Sequence, residues 1–244
     1  MLEQKQVEKC NHCGSELFDK FCSNCGYPKE PNRINGRYIL SELRSIIDFE
    51  KGIFYTIKEL LLRPGSSVQK FISGDRNRLV KPVLFIVICS LVYTIILNLF
   101  QFEDGYVAFS LEKDSAAETI FQLITENYGY ANIIIVAFVA FWIKLFFRKH
   151  NYNYFEILIL VSFLMGVGML IFSFFGIIDS WVDLEVADKG YLLGILYVSW
   201  GIGQFFDKGK IASYLKALVS YMLGMFFFML GAMFIGLLID VVNK

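Results

Sequence analysis

The apolar positions of this chain gather into five long runs, at 82–100, 131–147, 155–178, 191–206 and 215–239. A helix needs about 20 apolar residues to cross a hydrocarbon core about 30 Å thick. Val83–Phe100 carries no charge, and Phe155–Ile178 and Leu215–Ile239 are long enough to span with tilt. Ala131–Phe147 spans if Lys144 stretches its ammonium toward the headgroups. Tyr191–Phe206 is short and holds Gly194, Gly201, Gly203 and Gln204, so a buried or re-entrant stretch stays open beside a full crossing. The pattern predicts an all-α integral membrane protein with about five transmembrane helices.

Upstream of the first run the period changes to that of a one-sided helix. From Ser41 to Leu62, Leu43, Ile46, Ile47, Ile53, Phe54, Ile57, Leu60 and Leu61 share a side opposite Arg44, Asp48, Lys51, Tyr55 and Lys58. Pro64-Gly65 ends it. Its apolar side can lie in the membrane interface or on the transmembrane bundle, and the sequence does not separate the two. A short helix around Val68–Ile72 and a turn at Gly74 follow. The expected domains are residues 1–31, then 32–81 as linker, amphipathic helix and basic membrane-proximal segment, then 82–244 as the transmembrane domain.

Charge adds an orientation. Arg63, Lys70, Arg76, Arg78 and Lys81 precede the first run. Glu103, Asp104, Glu112, Asp114, Glu118 and Glu126 follow it, against Lys113 alone. Arg148 and Lys149 lie after the second run, Asp179, Asp183, Glu185 and Asp188 with Lys189 after the third, and Lys208 and Lys210 after the fourth. By the positive-inside rule this alternation means five crossings of the cytoplasmic membrane, N-terminus in the cytoplasm and C-terminus outside. Met1–Lys9 is polar and no early apolar run with a cleavage site follows, so the first span is expected to direct insertion itself. The overall balance of 23 basic and 23 acidic residues therefore hides opposed loops, and gives no footprint for nucleic acid. An aromatic content of 17% excludes an intrinsically unfolded chain. The basic segment Arg63, Lys70, Arg76, Arg78 and Lys81 is a candidate contact for lipid headgroups or anions, although topology alone accounts for its charge.

Four cysteines stand in a C-x2-C-x8-C-x2-C pattern: Cys10, Cys13, Cys22 and Cys25. Two-residue spacing lets one tight turn present two thiolates, and Gly14 and Gly26 permit the backbone that turn needs. Two such turns make a closed tetrahedral sulfur site, which suits structural Zn2+. A pair of disulfides is the alternative, disfavoured by the reducing cytoplasm. Leu17, Phe18 and Phe21 between the knuckles can cover the metal. Residues 1–31 are almost balanced in charge, which favours a cytoplasmic protein partner over phosphate.

The order of these features carries a resemblance. A double CxxCG knuckle, an amphipathic helix, Arg63-Pro64-Gly65, a short helix ending Phe71-Ile72-x-Gly74, Arg76 and Lys81-Pro82 opening a multi-span region resembles a family of bacterial zinc-ribbon membrane proteins of unknown function. That family often has Lys where Asp75 stands here. The resemblance implies an architecture and no activity. In size and span number the chain is also similar to small multi-spanning accessory proteins encoded beside RNA-guided, RNA-cutting antiviral effectors.

Catalysis and transport within membranes use buried ionisable groups, and only Lys144, Glu156 and Lys216 fall inside the runs, each near an end. Ser90, Tyr93, Thr94 and Asn98 form a polar seam that either lines a path or bonds between helices. Gly166, Gly168, Ser220, Gly224 and Gly231 are candidates for close helix packing. No P-loop, dinucleotide fingerprint, HExxH or nucleophile elbow is present. The expected function is a non-enzymatic membrane protein whose zinc ribbon docks a protein partner while the bundle anchors or oligomerises as a homo-oligomer. A pore, transporter or lipid-handling protein is the alternative, and a lipid-directed enzyme the third.

Overall fold

The computed structural model describes residues 52–75, 78–100, 115–181 and 186–242, with 9, 14–16, 20–24 and 26. The chain divides into two compact units, Met1–Ile46 and Ile47–Lys244, and each is treated by itself.

The second unit is all helix among its described residues: α1 Ile53–Leu62, α2 Pro64–Ser73, α3 Pro82–Phe100, α4 Ala116–Glu126, α5 Tyr128–Phe146, α6 Tyr154–Asp179, α7 Ala187–Asp207 and α8 Ile211–Val242. This is an all-α membrane protein. Four helices, α3, α5 (from Gly129), α6 and α8, are long and apolar enough to cross a bilayer. The fourth expected run is an unbroken helix of 21 residues, α7. At 1.5 Å per residue it reaches about 31 Å. Its glycines, Ser199 and Gln204, with Asp188 and Lys189 in its first turn, leave it outside the apolar four.

In lipid, helices gain nothing from hiding apolar side chains from tails that are equally apolar, so close packing and hydrogen bonds hold them together. Burial identifies the centre: 61% of the apolar stretch of α6 is buried, against 28% in α3 and in α8. Helices α3, α5 and α7 pack around α6, and α8 closes the bundle against α5 and α7. Rings fill the interior, with Phe163 between Phe71 and Phe85 at centroid distances of 5.4 and 5.6 Å and Tyr93 stacked on Phe172 at 5.9 Å.

Two expectations are corrected. The amphipathic helix does not run unbroken from Ser41 to Leu62. Gly52 is extended (φ −90°, ψ −165°) and caps a helix that starts at Ile53, because a residue in that conformation cannot carry the helical ladder through; residues 41–51 lie outside the described residues. The acidic loop after the first span also contains a helix, α4. Ser115 caps it by accepting from the Glu118 N–H at 3.1 Å, and Asp240 of α8 accepts from the Ala116 N–H at 2.7 Å. Asp240 is therefore a helix cap placed 124 residues from its partner.

Candidate functional site

In the first unit, Gly14 and Gly26 adopt φ of 73° and 71°, the left-handed region that a knuckle turn requires of the residue after its second cysteine. The Gly26 N–H donates to the Cys22 carbonyl at 2.8 Å, which closes the second turn. Lys9 and Glu16 pair as an antiparallel bridge on either side of the first turn. Cys22 is buried. Cys10, Cys13 and Cys25 lie outside the described residues, and among the described ones no three metal-ligating side chains cluster. Phe21 is 62% exposed. It directly precedes buried Cys22, and consecutive residues of extended chain point to opposite faces. Leu17 and Phe18 also lie outside the described residues.

The basic segment before the first span is built into an elbow. Arg63 interrupts the chain at φ −145°, and Pro64 opens α2 at a position where its missing N–H costs nothing. Gly65 then packs against the backbone of α7: a Cβ there would lie 2.6 Å from the Gln204 carbonyl carbon. Its N–H donates to Gln204 Oε1 at 2.8 Å, and the Gln69 amide donates to the Phe205 carbonyl. Tyr197 of α7 donates its hydroxyl to the Leu60 carbonyl at 3.0 Å. The Val80 N–H donates to Thr56 Oγ1 at 3.0 Å. Leu60, Thr56, Val68 and Phe71 are buried, so α1 and α2 rest on the bundle, while Phe54, Leu61 and Leu62 stay exposed on the other side.

The basic residues of the elbow have separate fates. Arg78 pairs with Glu59 at 2.8 Å, with its guanidinium 5.9 Å from the Tyr55 ring centroid. Partial burial works against its charge, but Glu59 and Tyr55 together hold its pKa above the ordinary value. Among the expected lipid or anion contacts, Arg78 is thus engaged by Glu59. Arg63, Lys70 and Lys81 are exposed, and Arg76 lies outside the described residues.

The small residues divide the same way. At Gly166 a Cβ would meet the Phe85 ring at 2.7 Å, and at Gly224 the Val139 Cα at 2.6 Å, so these are close helix contacts of α6 with α3 and of α8 with α5. Gly168 faces Val198 at an ordinary 3.4 Å. Ser220 is fully buried and its hydroxyl donates back to the Lys216 carbonyl at 2.7 Å. Gly231 has nothing within 4 Å of an added Cβ among the described residues, so it makes no such contact with them. Its helix face looks outward instead.

The first-span seam splits too. Asn98 is exposed, while Ser90 and Thr94 face α5, where an added Cβ at Gly129 would lie 2.6 Å from Ser90 Oγ. Tyr93 turns inward to a cavity of about 30 Å³ that Asn132, Tyr191 and Tyr221 also line. That is room for about one or two water molecules beside neutral hydrogen-bonding groups. Asn132, Tyr191 and Tyr221 lie in three separate apolar runs, so no local pattern singles them out, and only the packing of three helices brings them together.

No curated protein and no solved structure matches the chain. A family model described as a protein of unknown function (DUF3667) matches residues 50–94, a stretch that holds α1, α2, the Arg78 turn and the first part of α3.

Proposed function

We propose that this is a non-enzymatic membrane anchor whose N-terminal zinc ribbon docks a cytoplasmic protein partner. The observation that carries the reading is the elbow. The chain enters the bundle through α1 and α2, which are held to α7 and to the start of α3 by side-chain bonds from Tyr197, Thr56, Gln204, Gln69 and Arg78. The ring-filled core around α6 supports anchoring over conduction, since the cavity beside Tyr93 is of water size.

Cys10, Cys13, Cys22 and Cys25 would hold the metal. The left-handed Gly14 and Gly26 and the buried Cys22 fit that donor set. Zinc, when bound, supplies most of the folding free energy of so small a unit. The alternation of basic and acidic loops supports an N-terminus in the cytoplasm and a crossing by α7, giving five spans. The outward Gly231 supports self-association through α8.

Two measurements on the purified full-length chain test this. Zinc at one equivalent per chain, lost in Cys22→Ser, supports the ribbon; an unchanged metal content in that variant sinks it. In liposomes the chain should leave an ion gradient intact over the time in which a channel would dissipate it. Robust flux would replace the anchor by a pore.

A further inference from the structure

The end of the bundle at which α5 stops and α6 and α8 start carries a membrane-facing groove of about 390 Å³, lined by Ala137, Phe138, Phe141, Trp142, Tyr154 and Phe227. Its walls are fixed. Trp142 packs on Phe227 at 4.9 Å, Phe138 on Phe228 at 5.7 Å, and the Tyr154 hydroxyl donates to the Ala137 carbonyl at 2.9 Å. Its mouth is open, with Phe141 57% and Phe138 37% exposed.

The position of the groove along α5 suits an acyl chain. From Ala137 to the end of α5 at Phe146 is about 14 Å at 1.5 Å per residue, close to the thickness of one leaflet. A chain lying in the groove has its polar end at this end of the bundle. That end is basic. Lys144 stands two residues beyond Trp142, and Arg148 and Lys149 are exposed in the next turn. Lys216 of α8 is exposed eleven residues before Phe227, which is three helical turns and places both on one face, about 16 Å apart. Lys144 donates to the Tyr152 carbonyl at 2.6 Å. The nearby acids are engaged: Glu156 caps the start of α6 and Asp207 pairs with Lys210 at 2.7 Å.

The geometry points to a binding site for an anionic phospholipid, with an acyl chain in the aromatic groove and the headgroup phosphate held by Lys216 and Lys144. This site is separate from the elbow and does not depend on the ribbon reading.

Trp142 is its own reporter. In a full-length variant with Trp181→Phe and Trp200→Phe, Trp142 is the remaining tryptophan. Reconstituted in mixed vesicles, its fluorescence should be quenched by brominated phosphatidylglycerol more strongly than by brominated phosphatidylcholine, about fivefold in relative affinity for each cation engaged. Lys216→Gln, at an exposed position, should remove most of that preference, and Lys144→Gln the remainder. Ala137→Leu, which narrows the groove, should lower quenching by both lipids. Equal quenching by the two lipids in the parent would overturn the anionic site. So would a preference that survives both lysine changes. Quenching by neither lipid would mean that protein covers the groove, a second copy being the first to test by crosslinking, and would overturn it as well.

Discussion

Glu59 of α1 and Arg78, just before α3, form an ion pair at 2.8 Å with side chains 19% and 28% exposed. The pair joins the elbow to the base of the first span across 19 residues of chain. A fully exposed pair contributes up to about 1 kcal/mol, and breaking a buried one costs about 3–5 kcal/mol. Intermediate exposure puts Glu59→Gln near 1–2 kcal/mol by that comparison. A double-mutant cycle with Arg78→Gln, read by thermal unfolding in detergent, should return a coupling of about 1 kcal/mol. Additive single effects would mean that the pair is incidental.

Gly65 and Gly231 make a second comparison. Gly65→Ala drives a Cβ into the α7 backbone, which cannot shift as a side chain tip would, so a loss of about 1–3 kcal/mol follows. Gly231→Ala meets nothing among the described residues and gains helix propensity of up to about 1 kcal/mol. The two melting temperatures should therefore move in opposite directions. If Gly231→Ala lowers stability only at protein concentrations that permit self-association, α8 is a contact between copies.

The crossing by α7 is open to direct measurement. Trp181, in the turn just after α6, and Lys208, at the end of α7, flank it in the chain and both are exposed. Single cysteines placed there, with the five native cysteines replaced, should react with an impermeant thiol reagent from opposite sides of the membrane. Reaction from the same side would make α7 a helix held within the bundle without crossing.

The long helices were legible because apolar run length maps directly onto helix length in a bilayer: the first predicted run and α3 coincide at residues 82–100. Pro64-Gly65 and Gly74 were legible as punctuation, but their reason was not. Gly65 is required by Gln204 and Phe205, 139 and 140 positions later in the chain, and no local pattern encodes that approach. Helix α4 was missed because its polar side sits in an acidic loop and its anchor, Asp240, is remote. Arg78 was grouped with its basic neighbours because sequence shows a charge and not its partner. Of the four cysteines, the spacing spoke for all, while Cys22 alone is described in space.

The proposed function requires the ribbon to engage a cytoplasmic protein. A photo-crosslinking amino acid at Phe21, exposed in the N-terminal unit, tests it in intact cells. One discrete adduct with another protein is expected, absent when Cys22→Ser is added, while the amount of chain in the membrane fraction stays the same. An adduct that persists without the cysteine, or no adduct with any protein other than itself, would contradict it.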